Sequence, residues 1–499
     1  MEVQFLGVEI GHAMTRVLAL DVETASVTAR ASAPHDWLGG LPDGCREQDP
    51  GMWLRAVDLA VRQVLEELGD LRGSVAGMSV TAAPGGVVVL DEDDRVIRPV
   101  KWGGDLSAKG EAQEILREFG GAPGLIELTG NALDASSMAA QVRWLKLHEP
   151  KHFERARRLM SVEDFVGYWL SGETGTSAST AATSGWFEVP ERSWSRTLVD
   201  FVAPEVAAML PQGLPPSQPR GVLRDALASA WGLEGQVWVG PGAGQQAAAL
   251  LAAGIAMPEE VIADLSGDGC LAGLSEGTRV DYRGEGEVGC DLAGNGFTRM
   301  PMRNVVSAPE MVRRHNGWSS ADFEKALSDT VAGADGLLFL PYLRGESVPR
   351  LPEARGLLHG ITMNNLTPGN LARAAAEGVA LGFAYGMSRL QDMGYEPLEV
   401  RLTRHAGPAG GQLLADALGV PVVAVSGGGG PLLGAAMQAA AVWFREQGEA
   451  LGFEEVAGYM VTVDEESRCL PDAGRHDFYQ ELMGRQQYLA EVLHDGGFM

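Results

Sequence analysis

The chain has 499 residues, a formal net charge of -27 and 45% hydrophobic residues. That length exceeds what a single hydrophobic core usually holds, so we expect two large domains. The acidic balance argues against DNA, RNA or an anionic membrane as the main partner, because these partners favour lysine and arginine. A small anionic ligand remains compatible, since a pocket can be locally positive on an acidic protein.

The cysteine pattern and the N-terminal region indicate a cytoplasmic protein. The four cysteines lie far apart, without metal-ligand or redox-motif spacing, and we expect free thiols in a reducing compartment. The first residues have a strand pattern rather than the charged and apolar regions of a signal peptide. No run of about 18 apolar residues predicts a membrane span.

The first half begins as a meander followed by a helix. Alternating and β-branched residues predict strands at 3–10, 16–20 and 27–33, and further strands at 75–80 and 87–90. Apolar residues at i, i+3 and i+4 predict an amphipathic helix over 50–68. This order is typical of an α/β fold, but not of a Rossmann fold.

The second half repeats this plan. The predicted elements are a strand at 237–239, a glycine turn at 241–244, a helix at 245–254, a hairpin from 260–265 to 270–274, a helix at 370–392, a strand at 400–403, a helix at 412–418, a strand at 421–425 and a closing helix at 476–493. We therefore predict an internally duplicated fold with a cleft between its halves. The expected domains are 1–240 and 241–460, with a C-terminal extension at 461–499.

Short motifs in family order carry a resemblance along nearly the whole chain. They lie at 7–11, 47–50, 90–91, 98–99, 163–165, 192–195, 242–244, 336–343 and 433–436. In this order they resemble the FGGY carbohydrate kinases, and xylulokinases most of all. The resemblance implies two actin-like ATPase (ribonuclease H-like) α/β domains, with sugar on the first and nucleotide on the second. It also implies phosphoryl transfer from ATP to a xylulose-type sugar with Mg²⁺, and it is compatible with a homodimer.

The position of the family's catalytic base carries an amide. Family members have an Asp in a Gly-x-Gly-Asp run at the head of the second domain, and residues 242–246 here read Gly-Ala-Gly-Gln-Gln. Gln245 has no usable basicity, so general-base assistance worth about 10²–10⁴-fold is missing unless another carboxylate substitutes. The alternative interpretation is a tight turn that caps an alanine-rich helix.

The first hairpin is also altered. Where the family has Asp-x-Gly-Thr, residues 9–12 read Glu-Ile-Gly-His. Glu9 is the candidate for a metal or sugar contact, although a solvated acid at a strand end fits the same pattern. Gly11 keeps the turn, whereas His12 removes the Thr hydroxyl that the resemblance assigns to the phosphate-binding hairpin.

The sugar-contacting run has lost polar side chains. Family members read Ser-Gly-Gln-Met-His-Gly, but Pro84 and Gly85 stand at the Met and His positions. The nearby Trp-Asn-Asp run keeps Trp102 and continues with two glycines. Because each good hydrogen bond contributes about 0.5–1.5 kcal/mol, the usual sugar should bind less tightly.

Two nucleotide-binding loops diverge as well. The second phosphate hairpin reads Ser266-Gly267-Asp268, which brings a negative charge near the expected phosphates; Asp268 either recruits a cation or is a surface turn acid. The family's Gly-Gly-Gly-Ala loop contains Arg404 and His405, which can pair with an anion but lack the close approach of glycine. The glycine run 427–430 is a weak signal, interpreted as a turn.

The motifs predict a carbohydrate kinase fold. The substitutions at its site residues predict that its transferase activity is weak or lost. The alternative is a non-catalytic sugar- or nucleotide-binding or regulatory pseudokinase. If the protein is active, ATP and Mg²⁺ are its cofactors and Glu9 or Asp268 replaces the missing base; otherwise no cofactor is expected. A glycosidase with paired acids is a third hypothesis, supported only by the abundance of acidic residues.

Overall fold

The computed structural model describes residues 3–426, 430–449 and 451–499 and has two seven-stranded β-sheets flanked by helices. The first sheet contains, in spatial order, Gly221–Val222, Trp238–Val239, Val75–Ala82, Gln4–Ile10, Met14–Asp21 and Ser26–Pro34, with Ala243–Gly244 also paired to Val75–Ala82. The predicted opening meander and the strand that follows it are confirmed.

The first helix, Pro50–Leu68, has the predicted bounds. Residues within or next to the helix determine both its ends and its apolar face. The Asp49 carboxylate accepts a hydrogen bond from the Gly51 N–H at 2.9 Å, and Pro50 occupies the first helical position. Trp53 and Val57 are fully buried on the face that covers the first sheet. The periodic apolar face therefore becomes one layer of the N-terminal core.

A mostly helical region follows the first strands and has a separate core. The helices that contribute to this core are Lys109–Glu118, Gly121–Thr129, Met138–His148, Pro150–Arg155 and Arg196–Val202. Three further helices of the first half, Val162–Ser171, Ala178–Ala181 and Asp225–Trp231, pack elsewhere. Short 3-10 turns lie at Gly69–Ser74, Pro204–Ala208 and Ala334–Gly336. Two-stranded ladders pair Glu47–Gln48 with Val100–Lys101, Val88–Leu90 with Arg158–Met160, Thr176–Ser177 with Gly213–Leu214, Phe187–Glu188 with Ser193–Trp194, and Leu338–Leu340 with Leu357–His359.

The second sheet mixes antiparallel and parallel strands. Its order is Glu287–Cys290, Gly296–Pro301, Cys270–Ser275, Val261–Asp264, Val400–Leu402, Val422–Val425 and Val463–Cys469. The predicted hairpin is confirmed, since Val261–Asp264 pairs antiparallel with Cys270–Ser275. The strand Val463–Cys469 closes one edge of the sheet.

Helices cover the second sheet and join it to the first. They are Gln245–Ala252, Ser307–His315, Ser320–Asp329, Pro368–Asp392, Pro408–Leu418, Gly430–Glu446, Phe453–Met460 and Ala473–Asp495. The closing helix is fixed to the long helix by a hydrogen bond from the Tyr479 hydroxyl to Glu377 Oε1 at 2.9 Å.

The helix Gly430–Glu446 connects the two halves, and glycines permit its close packing. A methyl group on Gly434 would lie 1.9 Å from the carbonyl oxygen of Ala248, and one on Gly7 would lie 2.2 Å from the carbonyl oxygen of Leu432. The same helix therefore approaches both the first strand and the helix Gln245–Ala252 at backbone distance. This contact holds position 245 against the first sheet.

The helices of the described residues fall short of the length and apolar character that a bilayer crossing needs. The domain boundaries at 240 and 460 stay predictions. The glycine run at 427–430 lies mainly outside the described residues, since 427–429 are not among them.

Candidate functional site

The turn before Gln245 lies at the edge of the first sheet, beside the opening hairpin. Thr81 pairs with Glu9 on one side and with Ala243 on the other. With neighbouring strands about 4.8 Å apart, Glu9 and Ala243 are separated by about 10 Å. Gln245 begins the helix Gln245–Ala252 and is half-buried. The fold thus brings Gln245, the position that the resemblance predicts for the base, near the first hairpin.

Glu9 is held by its cross-strand neighbour. Its side chain is buried, and Arg16 Nη1 donates to Glu9 Oε2 at 3.0 Å. A divalent cation would have to compete with this guanidinium for the carboxylate. Among the described residues, no group of three or more His, Cys, Asp or Glu side chains is arranged to hold a metal ion. A magnesium ion held by the Glu9 carboxylate together with substrate phosphates would therefore require the pair between Glu9 and Arg16 to open.

Gly11 and His12 form the tip of the first hairpin. The Gly11 N–H donates to the Met14 carbonyl at 3.0 Å, and the His12 ring packs edge-on against Trp102 with centroids 4.8 Å apart. Partial burial, together with nearby Arg46, lowers the pKa of His12. Its imidazole is consequently neutral near pH 7 and offers no fixed positive charge to a phosphate.

The predicted sugar-contacting positions have different environments. Trp102 is fully buried, and its indole N–H donates to the Ala83 carbonyl at 3.3 Å, so it supports the loop that carries Pro84 and Gly85. Pro84 is exposed, and Gly85 has φ of 90°. Neither residue offers a side-chain hydrogen bond, and Gly85 gives the loop a conformation that L-residues rarely adopt.

In the second hairpin, polar groups satisfy one another. Asp264 Oδ1 accepts hydrogen bonds from the Ser266 N–H at 2.9 Å, from Ser266 Oγ at 2.7 Å and from Thr403 Oγ1 at 2.9 Å. Asp268, beyond the tip at Gly267, forms an exposed ion pair with Arg344. That pair partly balances the negative charge, although exposed pairs contribute little stability.

Side chains of the loop at 403–407 form contacts within the protein. Arg404 donates to the Leu265 carbonyl, and His405 Nε2 lies 3.1 Å from Asp464 Oδ2. At the start of the helix Pro408–Leu418, Glu324 Oε1 accepts from the Ala409 N–H at 2.5 Å. A carboxylate therefore already sits at the helix end that favours anions. In this arrangement the loop does not fit the nucleotide phosphates that the resemblance implies.

A cavity of about 460 Å³ brings several of these positions together. Gln245, Ser266 and Arg404 line it, whereas Arg404 and His405 line a neighbouring cavity of about 480 Å³. Glu9, His12 and the sugar-contacting positions are not among the residues lining either cavity in the described part of the chain. The predicted site is thus divided between the two cavities and the first hairpin.

Sequence reasoning missed a buried charged cluster behind the turn. Arg220 Nη2 donates to Asp164 Oδ1 at 2.6 Å and to the Pro241 carbonyl at 2.7 Å. Burial, followed by the neighbouring charge of Asp164, raises the pKa of Glu163 to about 8. The Glu163-Asp164 pair was visible as a motif, but nothing in the spacing linked it to Arg220, which lies 56 residues from Asp164.

Family models match most of the chain. The N-terminal domain of the FGGY family of carbohydrate kinases matches residues 4–252, and the C-terminal domain of that family matches residues 302–443. Together these two models cover the first sheet and the strands Val400–Leu402 and Val422–Val425 of the second sheet.

Individual relatives are similar over nearly their full length. A xylulose kinase of Escherichia coli (strain K12) is 28% identical over 496 residues, covering 95% of this chain and 96% of the relative. A xylulose kinase of Haemophilus influenzae is 24% identical over 489 residues, covering 96% and 98%. Among solved structures, xylulose kinase from Rhodospirillum rubrum has a TM-score of 0.87 at 26% identity, covering 99% of this chain and 100% of that chain.

Proposed function

Because the chain belongs to the FGGY family of carbohydrate kinases and is xylulose kinase-like, we propose that it binds a xylulose-type sugar in its cleft but transfers a phosphoryl group slowly or not at all. The feature that supports this proposal is the amide of Gln245, which lines the cavity and which the resemblance places at the family's base position. An amide cannot accept the hydroxyl proton, so a contribution of about 10²–10⁴-fold to the rate is absent.

The surrounding acids are poor substitutes for the missing base. Glu9 is engaged by Arg16, and Asp268 is engaged by Arg344 on the exposed side of the second hairpin. Each of these carboxylates would have to give up its contact with a guanidinium before it could reach a sugar hydroxyl. Glu163, whose pKa is raised to about 8, is mostly protonated at pH 7 and is buried behind the turn.

A second candidate function is a non-catalytic binding or regulatory protein. It is favoured by the Glu324 carboxylate at the start of the helix Pro408–Leu418 and by the internal hydrogen bonds of Asp264. Both features oppose entry of nucleotide phosphates. This alternative predicts sugar-class ligand binding without turnover.

The proposal is tested by Gln245→Asp, assayed for sugar-dependent ADP formation across pentuloses, hexuloses and polyols. We expect the substitution to raise the rate above that of the unmodified protein, by at most about 10²–10⁴-fold. Gln246→Asp is the matched control, because Gln246 lines the same cavity one residue away and is also half-buried. An equal gain in both variants would show that charge, rather than a base at position 245, is limiting. If neither variant forms ADP faster than the unmodified protein while sugar still binds, the result would favour the non-catalytic binding protein.

A further inference from the structure

A side chain of the first half clamps the outer strand of the second sheet. Asn131 follows the helix Gly121–Thr129, and its Nδ2 donates to the Val288 carbonyl at 2.9 Å, while the Val288 N–H donates to Asn131 Oδ1 at 2.9 Å. Val288 lies in Glu287–Cys290, the strand at one edge of the second sheet. One amide therefore satisfies both backbone groups of Val288, which an edge strand would otherwise present to solvent.

The contact around this clamp is close but small. A methyl group on Gly130 would lie 2.6 Å from Val288 Cγ2, so the two backbones approach at a distance that suits glycine. Val288 and Cys290 pack in a small apolar cluster with Phe187 and Val189 of the first half, and Cys290 is fully buried there. The clamp and this cluster together form a seam between the two halves.

Open space borders the seam. A cavity of about 390 Å³ is lined by Asn131 of the first half and by Arg303 and Glu346 of the second. Another cavity, of about 700 Å³, is lined by Pro190 of the first half and by residues 278–283 of the second. These spaces add no packing between the halves, so the seam can part without breaking a continuous core.

The loop that carries the clamp also contacts the predicted sugar-contacting loop. A methyl group on Gly85 would lie 3.2 Å from the Ser136 carbonyl oxygen. Across the clamp, the edge strand pairs with Gly296–Pro301, whose Phe297 lines the cavity beside Gln245. The seam therefore connects two parts of the predicted site that the structure leaves divided.

We propose that Asn131 is a latch between the halves. With its amide bound to Val288 the seam is closed, and when both hydrogen bonds break the seam opens without unfolding of either half. Opening exposes Cys290 and moves the strand Gly296–Pro301 relative to the loop at 84–85. The inference concerns a motion of the chain, so it depends neither on turnover nor on the identity of the ligand.

The test is alkylation of Cys290 by iodoacetamide in the full chain, followed by mass spectrometry of the peptide that contains it. Alkylation requires an accessible thiolate, and burial raises the pKa of the Cys290 thiol to about 11, so the closed seam protects it. We expect Asn131→Ala to raise the labelling rate by about five-fold or more, because it removes two hydrogen bonds that favour the closed seam. At low urea concentrations the rate should hardly change with urea, because opening exposes little surface.

Asn316→Ala is the matched control. Asn316 is also half-buried and its Nδ2 donates to a backbone carbonyl, that of Val312, at 2.9 Å, but both residues belong to the second half. This variant should leave Cys290 labelling unchanged. Asn131→Asp keeps the size of the side chain and removes only the donor to the Val288 carbonyl, so it should also accelerate labelling and provides the test if Asn131→Ala does not fold. Unaltered Cys290 labelling in both Asn131 variants, an equal increase in Asn316→Ala, or a rate that rises with urea as steeply as global unfolding would each overturn the inference.

Discussion

Gln245 and Glu163 lie near the same turn, but only one of these two side chains is ionisable. Gln245 lies at the cavity and does not titrate, whereas Glu163 titrates but is buried against Asp164 and the turn. A methyl group on Gly242 would lie 3.9 Å from the Glu163 side chain, which places this acid directly behind the turn. The protein therefore keeps a titratable carboxyl at the cleft, on the side away from the cavity.

Glu163→Gln should change how stability depends on pH. The pKa of Glu163 is raised from 4.5 to about 8 in the folded protein, so wild-type stability from this group is complete below about 4.5 and declines as pH rises to about 8. Gln does not titrate. The free energy of unfolding of Glu163→Gln, relative to wild type, should therefore increase across this window, by at most about 1.4 kcal/mol per pH unit.

Urea denaturation at intervals from pH 5 to pH 9 measures this difference. Glu481→Gln, which changes an exposed acid paired with Arg485 on the closing helix, is the control and should follow the wild-type profile. Parallel profiles for wild type and Glu163→Gln would contradict the raised pKa.

At the scale of elements, the helix Gly430–Glu446 determines how the halves meet. It approaches the first strand at Gly7 and the helix Gln245–Ala252 through Gly434, each at a distance that no larger residue permits. The sequence predicted the flanking strands and the helix after Gln245. The sequence did not predict this close helix packing. The residues from Gly430 onward are small and apolar on nearly every face of the helix, so their pattern has no distinct helical period.

Gly434→Ala should destabilise the protein because its methyl group would meet a backbone oxygen, which cannot move independently of its helix. We expect the free energy of unfolding to fall by about 1–3 kcal/mol. Gly382→Ala is the matched control: Gly382 also lies inside a helix, but a methyl group there would meet nothing within 4 Å. Alanine at 382 should instead stabilise by about 0.5–1 kcal/mol. Urea denaturation of both variants checks this, and equal effects would contradict the close crossing.

At the scale of the whole molecule, the family and fold could be predicted from sequence because short motifs kept their order and periodic segments such as Pro50–Leu68 encode their own ends. The site was less predictable. Substitutions at Gln245 and Arg404 were visible, but their partners were not. Arg404 contacts Leu265 and Ala409 contacts Glu324 across separations of 139 and 85 residues, which only the tertiary fold supplies.

The central claim is that this kinase fold has lost the proton acceptor on which efficient transfer depends. The most direct test is the turnover number of the unmodified protein with saturating ATP, Mg²⁺ and xylulose, followed as ADP formation that requires the sugar. A typical enzyme turns over about 10 times per second, so removal of a general base predicts about 10⁻³–10⁻¹ s⁻¹ or less. A turnover number within the ordinary range of about 1–10³ s⁻¹ would contradict the claim and show that another carboxylate acts as the base.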